Sequence, residues 1–330
     1  MKQFMGLLFA GLTGFVAMSL AKSGEREAKP VRVALVKMPY VGERNVPDTS
    51  RGPDYLEEGG IRKLLEQQGA QVKPTLTVAL TNKEDKAYGS WNHLALASGD
   101  FAKIVSEERR NGYLPIGLLA NCNGILGMLS GLQHSGPDAK PLRVGMVFID
   151  AHGDFNTPET TLSGMLGGMP VAIAAGQCLT RMRLKAGLEP ALPTRHIVEM
   201  CVRDTDPLEQ ELLDRSEIQQ LTLEDVRTRS PNLHREMKRL SEATDAIYIH
   251  VDMDALDPRE VPGVALPVPG GPTSAELAAA LTEIFKYEKA AAFGVAAMPF
   301  DDRDKTGVSR HAAYNLILGV VKGVQQRRSE

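Results

Sequence analysis

Neither sign of charge dominates this chain, and nothing in it repeats: the formal net charge is −3 and the isoelectric point lies near 6.2. That balance leaves no basic footprint, so nucleic acid is not an expected partner. Cysteine is scarce as well. The three present, Cys122, Cys178 and Cys201, cannot all pair internally; at least one is free, reduced or bound to something, and whether Cys178 joins Cys201 stays open. The first 21 residues open on Lys2, continue through an apolar stretch and end in small residues at Ser19 and Ala21. They read as a secretory signal peptide, an uncleaved membrane anchor being the alternative, so the protein is expected to be periplasmic or extracellular. Residues 22–30 are a polar linker, and 31–326 hold enough apolar sequence for a single domain with a large core.

What is present centres on residues 144–163. The apolar run 144–149 is too short to span a membrane and is rich in branched and aromatic residues, as buried parallel strands are. Asp150, His152 and Asp154 follow at alternate positions. If the extended conformation persists, they project from one face at the strand's C-terminal end, where open α/β sheets place their ligand sites. A second run, 246–251, also ends in alternating carboxylates, Asp252 and Asp254, followed by Asp257-Pro258. Either triplet alone could be an acidic turn. Two of them, each behind an apolar strand, point to divalent cations, and hard oxygen donors with one imidazole suit Mn²⁺ or a similar ion. Two ions sharing bridging carboxylates would neutralise the set most simply.

These motifs, Asp150-Ala-His152-Gly-Asp154, Asn156-Thr-Pro and Asp252-Met-Asp254-Ala-Leu-Asp257-Pro258, resemble those of the arginase and agmatinase superfamily, the ureohydrolases. The segments GPDYL and GIRKLLEQQG near residues 52–69 strengthen the resemblance away from any chemistry. It implies an α/β fold, a three-layer α/β/α sandwich around a parallel sheet, and a dinuclear manganese centre. It also implies a homo-oligomer, trimeric or hexameric. The activity implied is hydrolysis of the amidine C–N bond of a guanidino amino acid, of the arginine or Nω-hydroxy-arginine type, releasing urea or a urea derivative. Asp150 and Asp252 would bridge the ions, His152 and Asp254 would complete one, and Cys122 and Asp154 the other. Asp154 and His152 would be the catalytic pair. Asn156, Thr161, Ser163 and Asp206 would hold the α-amino acid end of the substrate, although Asp206 reads equally well as a helix cap and the 156–163 segment as a polar turn.

Three positions depart from the family pattern. Cys122 stands where a metal-binding His is expected, either as a soft ligand that admits another divalent metal or as a small buried packing residue. A Cys there is similar to a minority branch acting on Nω-hydroxy-L-arginine. Gly167 replaces a His thought to shuttle protons, and Ala297 replaces a Glu that grips the guanidinium, with Asp301 or Asp302 as conceivable substitutes. The alternative reading is therefore an exported metal-binding ureohydrolase-like protein with little or no turnover. Elsewhere, strands are expected over 30–38, 113–119, 195–202 and 292–298. Helices are expected over 54–68 and 312–324, and at both ends of 217–240. A lid-like loop is expected over 82–99, with Trp91 and His93 packed into it, and His250 is expected on the strand face of Asp252.

Overall fold

The computed structural model describes residues 30–42 and 48–327, so the expected signal peptide and most of the expected linker lie outside the described residues. Nine strands form one sheet: β1 (Arg32–Met38), β2 (Gln71–Val72), β3 (Leu76–Thr77), β4 (Leu114–Leu119), β5 (Val144–Ile149), β6 (Ile197–Met200), β7 (Gln219–Leu221), β8 (Ala246–Asp252) and β9 (Ala290–Ala296). Their order is β2-β1-β4-β9-β8-β5-β6-β7, with β3 also on β1, and every pairing is parallel. Every residue of β4, β5, β8 and β9 is buried, which is why these strands read as continuous apolar runs.

Side chains alternate between two cores. Val147 and Ile149 face one, with Ile247, Ile249 and Val251, against Pro231–Ala243, Ser274–Ile284 and Val308–Gln326. Met146 and Phe148 face the other, with Tyr248, against Ser90–Arg110 and Ile125–Gln133. This is the expected three-layer α/β/α arrangement. Ile149 pairs with Val251 and Met200, so the chain leaves β5 and β8 at the same level and carries Asp150 alongside Asp252.

Local expectations fail where two elements meet. The helix expected over 54–68 is two helices, Gly52–Glu58 and Ile61–Gln67, because Gly59-Gly60 breaks the ladder and Gly60 takes φ 97°. The expected lid over 82–99 is mostly helix: Ser90–Arg110 buries Leu94, Phe101 and Val105 on one stripe. Trp91, on its first turn, is 39% exposed rather than packed. Within 217–240 the first segment is the edge strand β7, followed by helices Leu223–Thr228 and Pro231–Ala243. His250 stacks on Phe148, ring centroids 5.0 Å apart, and its Nδ1 lies 2.8 Å from the Tyr248 hydroxyl. Burial holds it neutral, at about 3. Gly294 makes room for this pair, since a Cβ there would lie 2.1 Å from the Tyr248 oxygen. Cys122, Cys178 and Cys201 are all free thiols.

Glu199 of β6 is fully buried, with Oε2 accepting from Gln220 Nε2 at 2.9 Å, and burial raises its carboxyl to about 8. A carboxyl whose folded pKa lies above its unfolded value near 4.5 binds a proton more tightly in the folded state. Stability therefore falls as pH rises from the unfolded value through about 8. Urea unfolding of the natural chain is expected to lose on the order of 3 kcal/mol more between pH 5 and 9 than that of Glu199→Gln. Parallel pH profiles for the two proteins would remove Glu199 as the source.

Candidate metal centre

A cavity of about 210 Å³ opens where the chain turns away from the C-terminal ends of β4, β9, β8, β5 and β6. Cys122, in the 3-10 turn after β4, places its Sγ 2.8 Å from Asp252 Oδ2 and 3.6 Å from Asp150 Oδ2. On the other side of Asp150, His152 Nδ1 is 3.3 Å from Asp150 Oδ1 and 3.3 Å from Asp254 Oδ2. Two sets of ligand atoms each lie within 4.8 Å of one another: Cys122, Asp150 and Asp252, and Asp150, His152 and Asp254. Asp150 belongs to both. Backbone amides orient the carboxylates: His152 N–H donates to Asp150 Oδ1 (2.8 Å), Asp254 N–H to Asp252 Oδ1 (2.9 Å), and Ala151 N–H to Asp254 Oδ1 (3.3 Å).

The electrostatics fit cations. Burial, then the charge of Asp254, raises Asp150 to about 7; burial and neighbouring carboxylates hold Asp154 and Asp252 well above the usual range. Burial pushes the Cys122 thiol up, and Asp252 and Asp150 add to it. For His152, burial is outweighed by its hydrogen bonds to Asp150 and Asp254, and it rises to about 12. His152 Nδ1 lies 3.3 Å from an oxygen of each of Asp150 and Asp254, so a divalent ion held by all three would displace a proton shared there. The carboxylate and imidazole donors suit a hard or borderline ion, whereas the Cys122 side adds a soft one.

The match to the arginase family model runs over residues 31–320. The chain belongs to the arginase family. Relatives include an arginase of Brevibacillus brevis, 29% identical over 229 residues that cover 67% of this chain and 74% of the relative. An arginase of Bacillus caldovelox is 27% identical over 301 residues, covering 88% of this chain and 98% of the relative. A Bacillus subtilis arginase structure superposes with a TM-score of 0.75 at 22% identity, covering 89% of this chain and 98% of that one. Membership supports metal-dependent hydrolysis of guanidino compounds.

Against the family pattern, the structure brings Cys122, Asp150, His152, Asp252 and Asp254 together but leaves Asp154 out of both clusters. Strand β5 ends at Ile149 and Asp154 has φ 50°, so strand alternation does not set its direction; it lines the same cavity as the ligand groups, buried, with the charges of Asp150 and Asp252 acting on it. Asp150 belongs to both groups; Asp252 belongs to the Cys122 group, and its Oδ1 accepts from the Asp254 N–H of the other at 2.9 Å. Asn156, Ser163 and Asp206 line the cavity. Thr161 does not, its hydroxyl being taken by the Gly164 N–H (3.1 Å) and Ser163 Oγ (3.3 Å) of its own turn. Asp206 stands at the helix-cap position before Pro207–Arg215, and its Oδ2 accepts from Asn156 Nδ2 (3.2 Å) and Leu162 N–H (3.1 Å). Gly167 and Ala297 both line the cavity. Asp301 and Asp302 do not: Asp301 faces Arg51 at 3.4 Å and Asp302 faces Lys305 at 3.5 Å, so neither replaces a carboxylate at Ala297.

Two residues went unnoticed in the sequence. Glu209, buried at the cavity, accepts Phe155 N–H (2.8 Å) and Asp206 N–H (3.1 Å), tying the loop after β5 to the helix after β6. The spacing Asp206-Pro-Leu-Glu209 is a capping-box signal that pointed to it. Arg203 spreads its guanidinium over the carbonyls of Cys201 (2.9 Å), Asp254 (3.1 Å), Val268 (2.7 Å) and Pro269 (3.2 Å), pinning residues 254–269 over the centre. Arg203→Ala is expected to cost about 1–3 kcal/mol and to speed amide exchange selectively in that loop. Unchanged exchange there would show that the loop is held by other contacts.

Proposed function

We propose that the chain is a two-metal amidinohydrolase that cleaves the amidine C–N bond of a guanidino amino acid, of the arginine or Nω-hydroxy-arginine type, giving an amine and urea or hydroxyurea. The observation that carries this reading is the pair of ligand clusters sharing Asp150 at the base of a cavity whose wall holds Asn156, Ser163 and Asp206. Asp150, His152 and Asp254 would hold one ion and Cys122, Asp150 and Asp252 the other, with Mn²⁺ favoured by the carboxylate-rich set. When bound, the ions supply Lewis acidity and make water nucleophilic near neutral pH. Asn156 and Ser163 offer hydrogen bonds to the α-carboxylate, and Asp206 offers its carboxylate to the α-amino group. Asp154, lining the same cavity, would hold a proton and pass it to the leaving amine. Export through residues 1–21 and assembly as a trimer or hexamer belong to the same proposal.

A second reading has a specific observation behind it: Ala297 is uncharged, Gly167 cannot carry a proton, and Asp301 and Asp302 face elsewhere. On that reading the protein binds metal and turns over little or not at all.

Urea and hydroxyurea release from arginine and Nω-hydroxy-arginine, before and after dialysis against a chelator and re-addition of Mn²⁺, separates the two. The amidinohydrolase is expected to lose release with the metal and regain it. Asp154→Asn is expected to lower kcat by about 10²–10⁴-fold while metal content stays unchanged. Bound metal without release from either compound would leave the metal-binding scaffold.

A further inference from the structure

The wall of the cavity is divided by strand of origin. Its charged side chains, among the described residues, follow β5 and β6 or stand at the end of β8. The segments after β1, β4 and β9, together with residues 264–266, contribute Val41, Thr49, Asn121, Leu266 and Ala297 and, apart from the thiol of Cys122 in the ligand cluster, no titratable side chain. Ala297 lies close to the Cys122 turn, its N–H donating to the Ala120 carbonyl at 3.3 Å, so the uncharged wall adjoins the ligand clusters. Elsewhere on the cavity lining, in the segment after β5, a Cβ built on Gly167 or on Gly168 would meet no atom within 4 Å, so there is room beside these two glycines.

Resting on the reading above, a substrate whose α-amino acid end lies against Asn156 and Asp206 and whose guanidino carbon lies at the clusters would reach with its terminal nitrogen the uncharged wall at Ala297, in a cavity with open space at Gly167 and Gly168. A cation there would lose its water without gaining a counter-charge from that wall, whereas an uncharged substituent would gain contact. We propose that the specificity of this cavity is for a guanidino amino acid whose terminal nitrogen bears an electron-withdrawing substituent, such as an acyl group, that leaves the guanidine uncharged. Water adds at the guanidino carbon, the bond to the side-chain nitrogen breaks, and that nitrogen takes up a proton. The products are ornithine and an N-substituted urea. Ala297 and Gly167 are the specificity-determining positions.

Calorimetric titration of the full chain loaded with Mn²⁺ tests this with four ligands that separate charge from size. L-arginine is charged and small, Nω-methyl-L-arginine charged and larger, L-citrulline uncharged and small, and Nω-nitro-L-arginine uncharged and larger. Nω-nitro-L-arginine is expected to bind at least about tenfold more tightly than arginine, and Nω-methyl-L-arginine no more tightly than arginine. Ala297→Glu is expected to reverse the preference toward arginine. Ala297 already occupies the left-handed region at φ 59°, so a glutamate adds no new backbone strain. Gly167→Leu is expected to weaken Nω-nitro-L-arginine and spare citrulline. Arginine binding as tightly as the nitro compound overturns the proposal while leaving the amidinohydrolase reading in place. Binding of none of the four overturns both.

Discussion

Mutual repulsion among buried carboxylates is the constraint on which the rest of this structure depends. Asp150, Asp154, Asp252 and Asp254 are all less than a tenth exposed, and a thiol and an imidazole are wedged among them. Such a concentration of charge is costly in a protein interior unless cations compensate it. The fold bears the cost by construction: two central parallel strands, fully buried and matched in register, deliver Asp150 and Asp252 to the same level. Backbone amides of the following turns then set the direction of each carboxylate. The surrounding loops are held by groups that never touch the centre's ligand atoms directly, Arg203 on one side and Glu209 on the other.

Much of this was legible in the sequence because a buried parallel strand is written as an unbroken apolar run. Residues 144–149 and 246–251 match strands β5 and β8 to within one residue, and the carboxylates behind them form the clusters. What was not legible is set by backbone conformation beyond the strand ends. Alternation predicts one shared face for Asp150, His152 and Asp154, but a left-handed Asp154 turns out of line, and no pattern in DAHGD announces that. Likewise the Ser90–Arg110 helix passes through Gly99, and its apolar stripe of Leu94, Phe101 and Val105 emerges only when read across that glycine. Asp301 and Asp302 do not replace a carboxylate at Ala297, and the reason is direction. Both follow β9 closely in sequence, but the turn sends them toward Arg51 and Lys305.

The three departures from the arginase pattern are coherent when considered by position. Cys122 changes the character of one ligand cluster without dispersing it, since Sγ still lies beside Asp252 and Asp150. Ala297 and Gly167 line the cavity without charge, and an added Cβ on Gly167 would meet no atom within 4 Å. Asn156 and Asp206 are hydrogen-bonded to each other at the cavity. The ligand groups and the rest of the cavity wall are thus supplied largely by different residues of the same strand ends, which lets one vary without the other.

Two cations that displace protons would relieve the repulsion among the buried carboxylates. Calorimetric titration of metal-free protein with Mn²⁺, run in two buffers of different ionisation enthalpy, measures stoichiometry and proton release together. The account predicts close to two ions per chain and net proton release on binding, since His152 and the raised carboxylates must give up protons to become ligands. Binding of no ion, or binding without proton release, would contradict it.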